Sequence, residues 1–137
     1  MPLLTDKKAV REIMLLVGEI GVPSQLIGCD YIRSSVLLML EDRKYSASIT
    51  KRLYPELAKL YEMSEASIER SIRNAIERTW ERGNKAALNA YFSGSGKERK
   101  KRPTNMEFLI RMKDLTLLRL LERKTKEQQV EKSFCKT

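Results

Sequence analysis

The chain has 137 residues, enough for one domain with a core of its own. Its 27 Lys and Arg outweigh 18 Asp and Glu, for a formal net charge of +9. Such a balance favours a polyanionic partner, nucleic acid or an anionic membrane, without deciding between them. Histidine is absent, which excludes imidazole acid–base catalysis, histidine triads and histidine metal ligation.

Taken in chain order, the pattern predicts an all-α protein, a compact bundle of about six helices. Thr5 or Asp6 can cap a first helix over 7–20, with Val10, Ile13, Met14, Val17 and Ile20 on one face. Gly21-Val22-Pro23-Ser24 ends it. A second helix over 25–41 has a broad apolar face of Leu26, Ile27, Tyr31, Ile32, Val36, Leu37 and Leu40. Gly28 near its start either weakens it or lets another element pack closely. Residues 46–54 read as a short helix or turn.

The next segment is the most informative. Pro55 suits a first helical turn, where a missing N–H costs nothing. Leu57, Ala58, Leu60 and Tyr61 give that helix an apolar face, and Glu62, Met63 and Ser64 make a turn. Ser64 is a good N-cap, and Glu65 suits the positive end of the helix dipole. The helix that follows carries Ile68, Ile72, Ala75, Ile76, Thr79 and Trp80 as one stripe. At about 100° per residue, the opposite face holds Ser67, Arg70, Asn74 and Glu77, with Arg73 on its flank. Helix, tight turn, longer helix with polar residues outward is the requirement for a helix-turn-helix that lays its second helix in a DNA major groove.

Gly83-Asn84 stops that helix, and 85–92 forms a short one. Residues 93–103 are a loop: SGSG is flexible, and KERKKR is a run of charge. Thr104 and Glu107 form a capping box for a last helix expected to end near Lys124. A polar tail over 125–137 is expected to fray, leaving residues 1–124 as one helix-turn-helix domain.

Five strings occur in order: EIGVP at 19–23, SITKRLYPELAK at 48–59, IERSIRNAIE at 68–77, W-x-R-G-N at 80–84 and KRPTNMEF at 101–108. Together they resemble the C-terminal DNA-binding effector domain of stage zero sporulation protein A, over roughly residues 8–121. The resemblance implies a compact six-helix fold, recognition of a short promoter element, and dimers on tandem DNA sites. A bacterial regulator associated with the nucleoid is expected, and a cytoplasmic one, since no export signal or membrane span is visible. Only a few residues precede the first helix, so a free-standing effector domain without a receiver is expected, or else a fragment. Glu69 and Arg70 match two DNA-contacting positions of the family, and Arg73 a further arginine. Ser67 stands where the family carries arginine and Asn74 where it carries histidine, so a related rather than identical element is expected.

Candidate base contacts are therefore Ser67, Glu69, Arg70, Arg73 and Asn74. Arg70 leads, because a guanidinium fork fits guanine O6 and N7 together; a surface pair along the helix row, with Asn74 or Glu77, is the competing reading. Glu69 can accept from a cytosine amine or merely orient an arginine. Asn74 can pair with adenine or touch phosphate alone. The segment 65–82 has four arginines and four glutamates, so attraction to phosphate must come from elsewhere. Lys97, Arg99, Lys100, Lys101 and Arg102 are the main candidates, with Ser48, Thr50, Lys51 and Arg52 behind them. A solvated linker is the bland alternative for the charge run.

Trp80 and the tyrosines read as core rather than base-stacking platforms. The leucines of 115–121 read as core on one side and a homodimer surface on the other. Cys29 and Cys135 lie far apart without CxxC spacing, so zinc is not expected and two thiols in a reducing compartment are. No stretch approaches the roughly 20 apolar residues of a membrane span, and no export signal is visible. No Gly-rich phosphate loop, metal cluster or activated nucleophile appears, so neither enzyme nor cofactor is expected. The alternative function is a protein-interaction module that pairs with or titrates a full-length response regulator.

Overall fold

Asp6 opens the first helix by accepting from the backbone N–H groups of Lys8 and Ala9, which satisfies donors that have no partner inside a helix. The computed structural model describes residues 6–92 and 102–135. Within them the chain forms seven α-helices and no strand: α1 Lys7–Ile20, α2 Ile27–Glu41, α3 Arg43–Ala47, α4 Tyr54–Tyr61, α5 Glu65–Arg82, α6 Lys85–Phe92 and α7 Asn105–Cys135. A single π turn, Ile49–Leu53, joins α3 to α4. It occupies most of the segment that periodicity left as helix or turn, because an i→i+5 step has no signature in apolar spacing.

Helix α2 is the axis of the bundle. Cys29, Tyr31, Ile32, Val36, Leu37, Leu38 and Met39 are all buried, and α1, α4, α5 and α7 pack around it. Gly28 lets α5 come close: a Cβ there would lie 2.2 Å from the Ser71 carbonyl oxygen and 2.8 Å from Ala75 Cβ. At the far end, Gly21 takes the left-handed conformation, φ 84°, that closes α1. Gly83 ends α5 for a different reason than a left-handed cap. Its φ is −76°, and a Cβ would meet the Thr79 carbonyl oxygen at 2.4 Å and that of Ile20 at 2.6 Å. The next residue donates its backbone N–H to that Ile20 carbonyl at 3.0 Å, tying the end of α5 to the end of α1.

Two details of α1 depart from the sequence reading. Leu16 rather than Met14 completes its buried face, and Met14 is 51% exposed. Glu12 is buried on that face, where Arg123 of α7 pairs with it at 3.0 Å.

The larger departure is the length of α7, which continues to Cys135 and not to Lys124. The added turns contain no Gly or Pro and are rich in Glu, Lys and Gln, all good helix formers. Arg123–Glu12 and Lys8–Glu127, the latter at 3.3 Å, hold this part of α7 along α1. The start of α7 is the expected reciprocal cap: Glu107 N–H donates to Thr104 Oγ1 at 3.2 Å, and Thr104 N–H to Glu107 Oε1 at 3.1 Å.

Candidate nucleic-acid interface

Helix α4 begins with Tyr54 and Pro55 and ends at Glu62, whose φ of 54° turns the chain in the left-handed region. Met63 N–H closes that turn on the Ala58 carbonyl at 3.0 Å. Ser64 then caps α5 through its hydroxyl, which accepts from Ser67 N–H at 3.1 Å. The result is a helix, a three-residue turn and an 18-residue helix. Tyr61 holds α4 against α2, edge-on to Tyr31 at 4.7 Å between ring centroids and hydrogen-bonded to Ser34.

Ile68, Ile72, Ala75, Ile76 and Thr79 form the buried stripe of α5. Trp80 closes the stripe half-buried, edge-on to Phe92 at 5.2 Å and Phe108 at 6.0 Å. Opposite the stripe, Arg70, Arg73 and Asn74 are exposed, while Ser67, Glu69 and Glu77 are half-buried along the edges. One polar pairing is a row neighbour and one is not. Arg73 donates to Glu69 at 2.6 Å, and Glu77 pairs with Arg102, which lies shortly before α7, at 3.1 Å. Among the described residues no carboxylate pairs with Arg70.

Beside α5 runs an open groove of about 930 Å³, lined among others by Thr50, Glu69, Arg73, Glu77, Arg102 and Asn105. The structure thus brings the π turn, the outward edge of α5 and the start of α7 around one depression. Thr50, Lys51 and Arg52 stand exposed on the π turn, and Ser48 is half-buried at its start. Lys97, Arg99, Lys100 and Lys101 lie outside the described residues.

Two residues in this groove were not singled out in the sequence. Asn105, the first residue of α7, gives one amide hydrogen to the Glu69 carbonyl at 3.0 Å and one to the Tyr54 hydroxyl at 3.1 Å. Burial pushes the Tyr54 phenol above its ordinary pKa, opposed by that hydrogen bond. The only hint in the sequence is an asparagine just inside a capping box, a position with no required role for it. Among the described residues no group of three or more His, Cys, Asp or Glu could hold a metal ion, and no helix is long and apolar enough to cross a membrane.

Helix, turn and a second helix that faces solvent with Arg70, Arg73 and Asn74, beside exposed basic residues of a neighbouring turn, is an arrangement shared with DNA-binding transcription regulators. The family model described as sporulation initiation factor Spo0A C terminal matches residues 13–115. The chain belongs to that family, and with it to the DNA-binding domains of sporulation control.

Proposed function

We propose that this chain is a sequence-specific transcription regulator that reads the DNA major groove with α5. The observation that carries the proposal is the exposure of Arg70, Arg73 and Asn74 on the face opposite the buried isoleucine stripe. Arg70 is available for a bidentate guanine contact, because nothing among the described residues engages its guanidinium in an ion pair. Arg73 and Glu69 enter as a preformed pair, so Glu69 acts first by orienting Arg73 and only then as an acceptor toward a cytosine amine. Asn74 stands one turn further along, suited to adenine or to the backbone. Ser67 spends its N–H on the cap and offers its hydroxyl.

The backbone term falls to the exposed Thr50, Lys51 and Arg52 and to Ser48, with Arg102 and the preceding basic residues Lys97, Arg99, Lys100 and Lys101. Such a protein works on bacterial DNA in the cytoplasm, associated with the nucleoid. Leu117, Leu118 and Leu121 are about half exposed on α7. They favour a homodimer, formed alone or on tandem sites, and equally the second reading, pairing with a full-length regulator.

Binding to promoter duplex against scrambled duplex at two salt concentrations separates the two. A DNA reader keeps a sequence preference at both; a pure interaction module shows only weak, salt-labile binding to either.

A further inference from the structure

We infer that Asn105 is a positioning residue for DNA reading: its carboxamide fixes the rotation of α5 about its own axis by holding the Glu69 carbonyl and the Tyr54 hydroxyl at once. The inference rests on the proposed reading by α5. The need for such a device follows from how α5 is held. Its inner face is aliphatic, and apolar contact is strong but non-directional. Ile68, Ile72 and Ile76 set how deeply the helix sits and resist its rotation only through shape. A rotation of α5 by a few degrees swings the tip of a long arginine by a distance that matters to a hydrogen bond.

The carboxamide supplies direction. A backbone carbonyl can only accept, so the nitrogen end of Asn105 must be the end facing Glu69. Its two N–H donors go to two different elements, at 3.0 and 3.1 Å. One group thereby ties the first residue of α4, the first residue of α7 and the DNA-facing half of α5. The carbonyl it grips belongs to the residue whose side chain holds Arg73 at 2.6 Å, and Arg70 is the next residue along. Asn105 reaches the bases through these residues and not by contact of its own. A satisfied polar link of this kind specifies one arrangement where apolar packing tolerates several.

The test uses the full chain and a duplex selected by that chain from a random pool, with a scrambled duplex of equal length beside it. In Asn105→Ala, preference for the selected duplex over the scrambled one is expected to fall about tenfold, the order of one lost directional hydrogen bond. Affinity for the scrambled duplex and the slope of binding against salt are expected to stay as in the original chain. Tyr54→Phe, which removes one of the two acceptors, should lie between. Equal loss on both duplexes, or no loss of preference, overturns the inference. A second measurement stands apart from DNA. In nitrogen-15 spectra of the unaltered chain, the Asn105 side-chain amide should be protected from exchange, and Asn105→Ala should shift the Arg73 side-chain resonance. An Asn105 amide exchanging like a free one overturns the inference even if the variant fails to fold. If the original chain selects no sequence, the DNA-reading proposal falls, while the spectra still decide whether Asn105 holds α5.

Discussion

On the proposed reading, sequence discrimination turns on Arg70. It is exposed and lacks an ion-pair partner among the described residues, so binding DNA breaks no internal pair at that position. Arg73 differs, since its guanidinium already meets Glu69 at 2.6 Å, an exposed pair worth little in water. Replacing Arg70 by Ala is expected to cost about 1–3 kcal/mol on a cognate duplex and to relax preference at one base pair. Affinity titrations of cognate and single-mismatch duplexes measure both effects. The outward face of α5 was legible because Ile68, Ile72 and Ile76 repeat at helical spacing and fix which side is buried. The Glu69–Arg73 and Glu77–Arg102 pairings were not legible as such. Several arginines share the reach of each glutamate, and the second pair crosses 25 positions of sequence.

At the scale of elements, close approach decides which glycines matter. Gly28 admits α5 against α2, and a methyl group there would collide with the Ser71 carbonyl at 2.2 Å. Gly28→Ala is expected to lose about 1–3 kcal/mol of stability through forced displacement. Gly18, in the last turn of α1 with nothing within 4 Å of an added Cβ, provides the contrast. There an alanine should gain about 0.4–1 kcal/mol, chiefly by narrowing the freedom of the unfolded chain. Denaturant melts of the two variants check both signs. Helix starts were readable from short-range chemistry: Asp6, Ser64 and the Thr104–Glu107 box each act within three residues. The end of α7 was not, because the segment beyond Lys124 carries no stop signal and its partners lie in α1. A polar segment with no breaker reads equally as tail or helix until Glu12 and Lys8 are known to lie beside it. The π turn also escaped, being a backbone register and not a composition.

Across the whole molecule, α1, α6 and α7 are joined by a polar cluster. Tyr91 donates to Glu19, and Arg119 donates to Glu19 at 2.6 Å and to the Tyr91 hydroxyl at 2.9 Å. The hydrogen bond from Tyr91, then that from Arg119, holds the Glu19 carboxyl below its ordinary value of 4.5. The unfolded chain therefore takes up this proton at a higher pH than the folded one. The stabilisation is present above the ordinary carboxylate range and is lost as pH falls through the lowered folded value. Glu19 is 41% exposed at its side chain, so the effect is modest and screened by salt. Glu19→Gln should flatten the acid limb of the melting temperature against pH and leave the neutral region nearly parallel to the original. An all-α architecture followed from periodicity alone, but this long-range cluster, spanning 100 positions between Glu19 and Arg119, has no local sequence signature.

Selection of bound duplexes from a random pool by the full chain, followed by titration of the winning and scrambled sequences at low and moderate salt, tests major-groove reading by α5 most directly. A short shared element is expected to emerge, its advantage over scrambled DNA to persist as salt rises, and Arg70→Ala to cut that advantage by about 1–3 kcal/mol. Recovery of no common element, or an advantage untouched by Arg70→Ala, would contradict that reading.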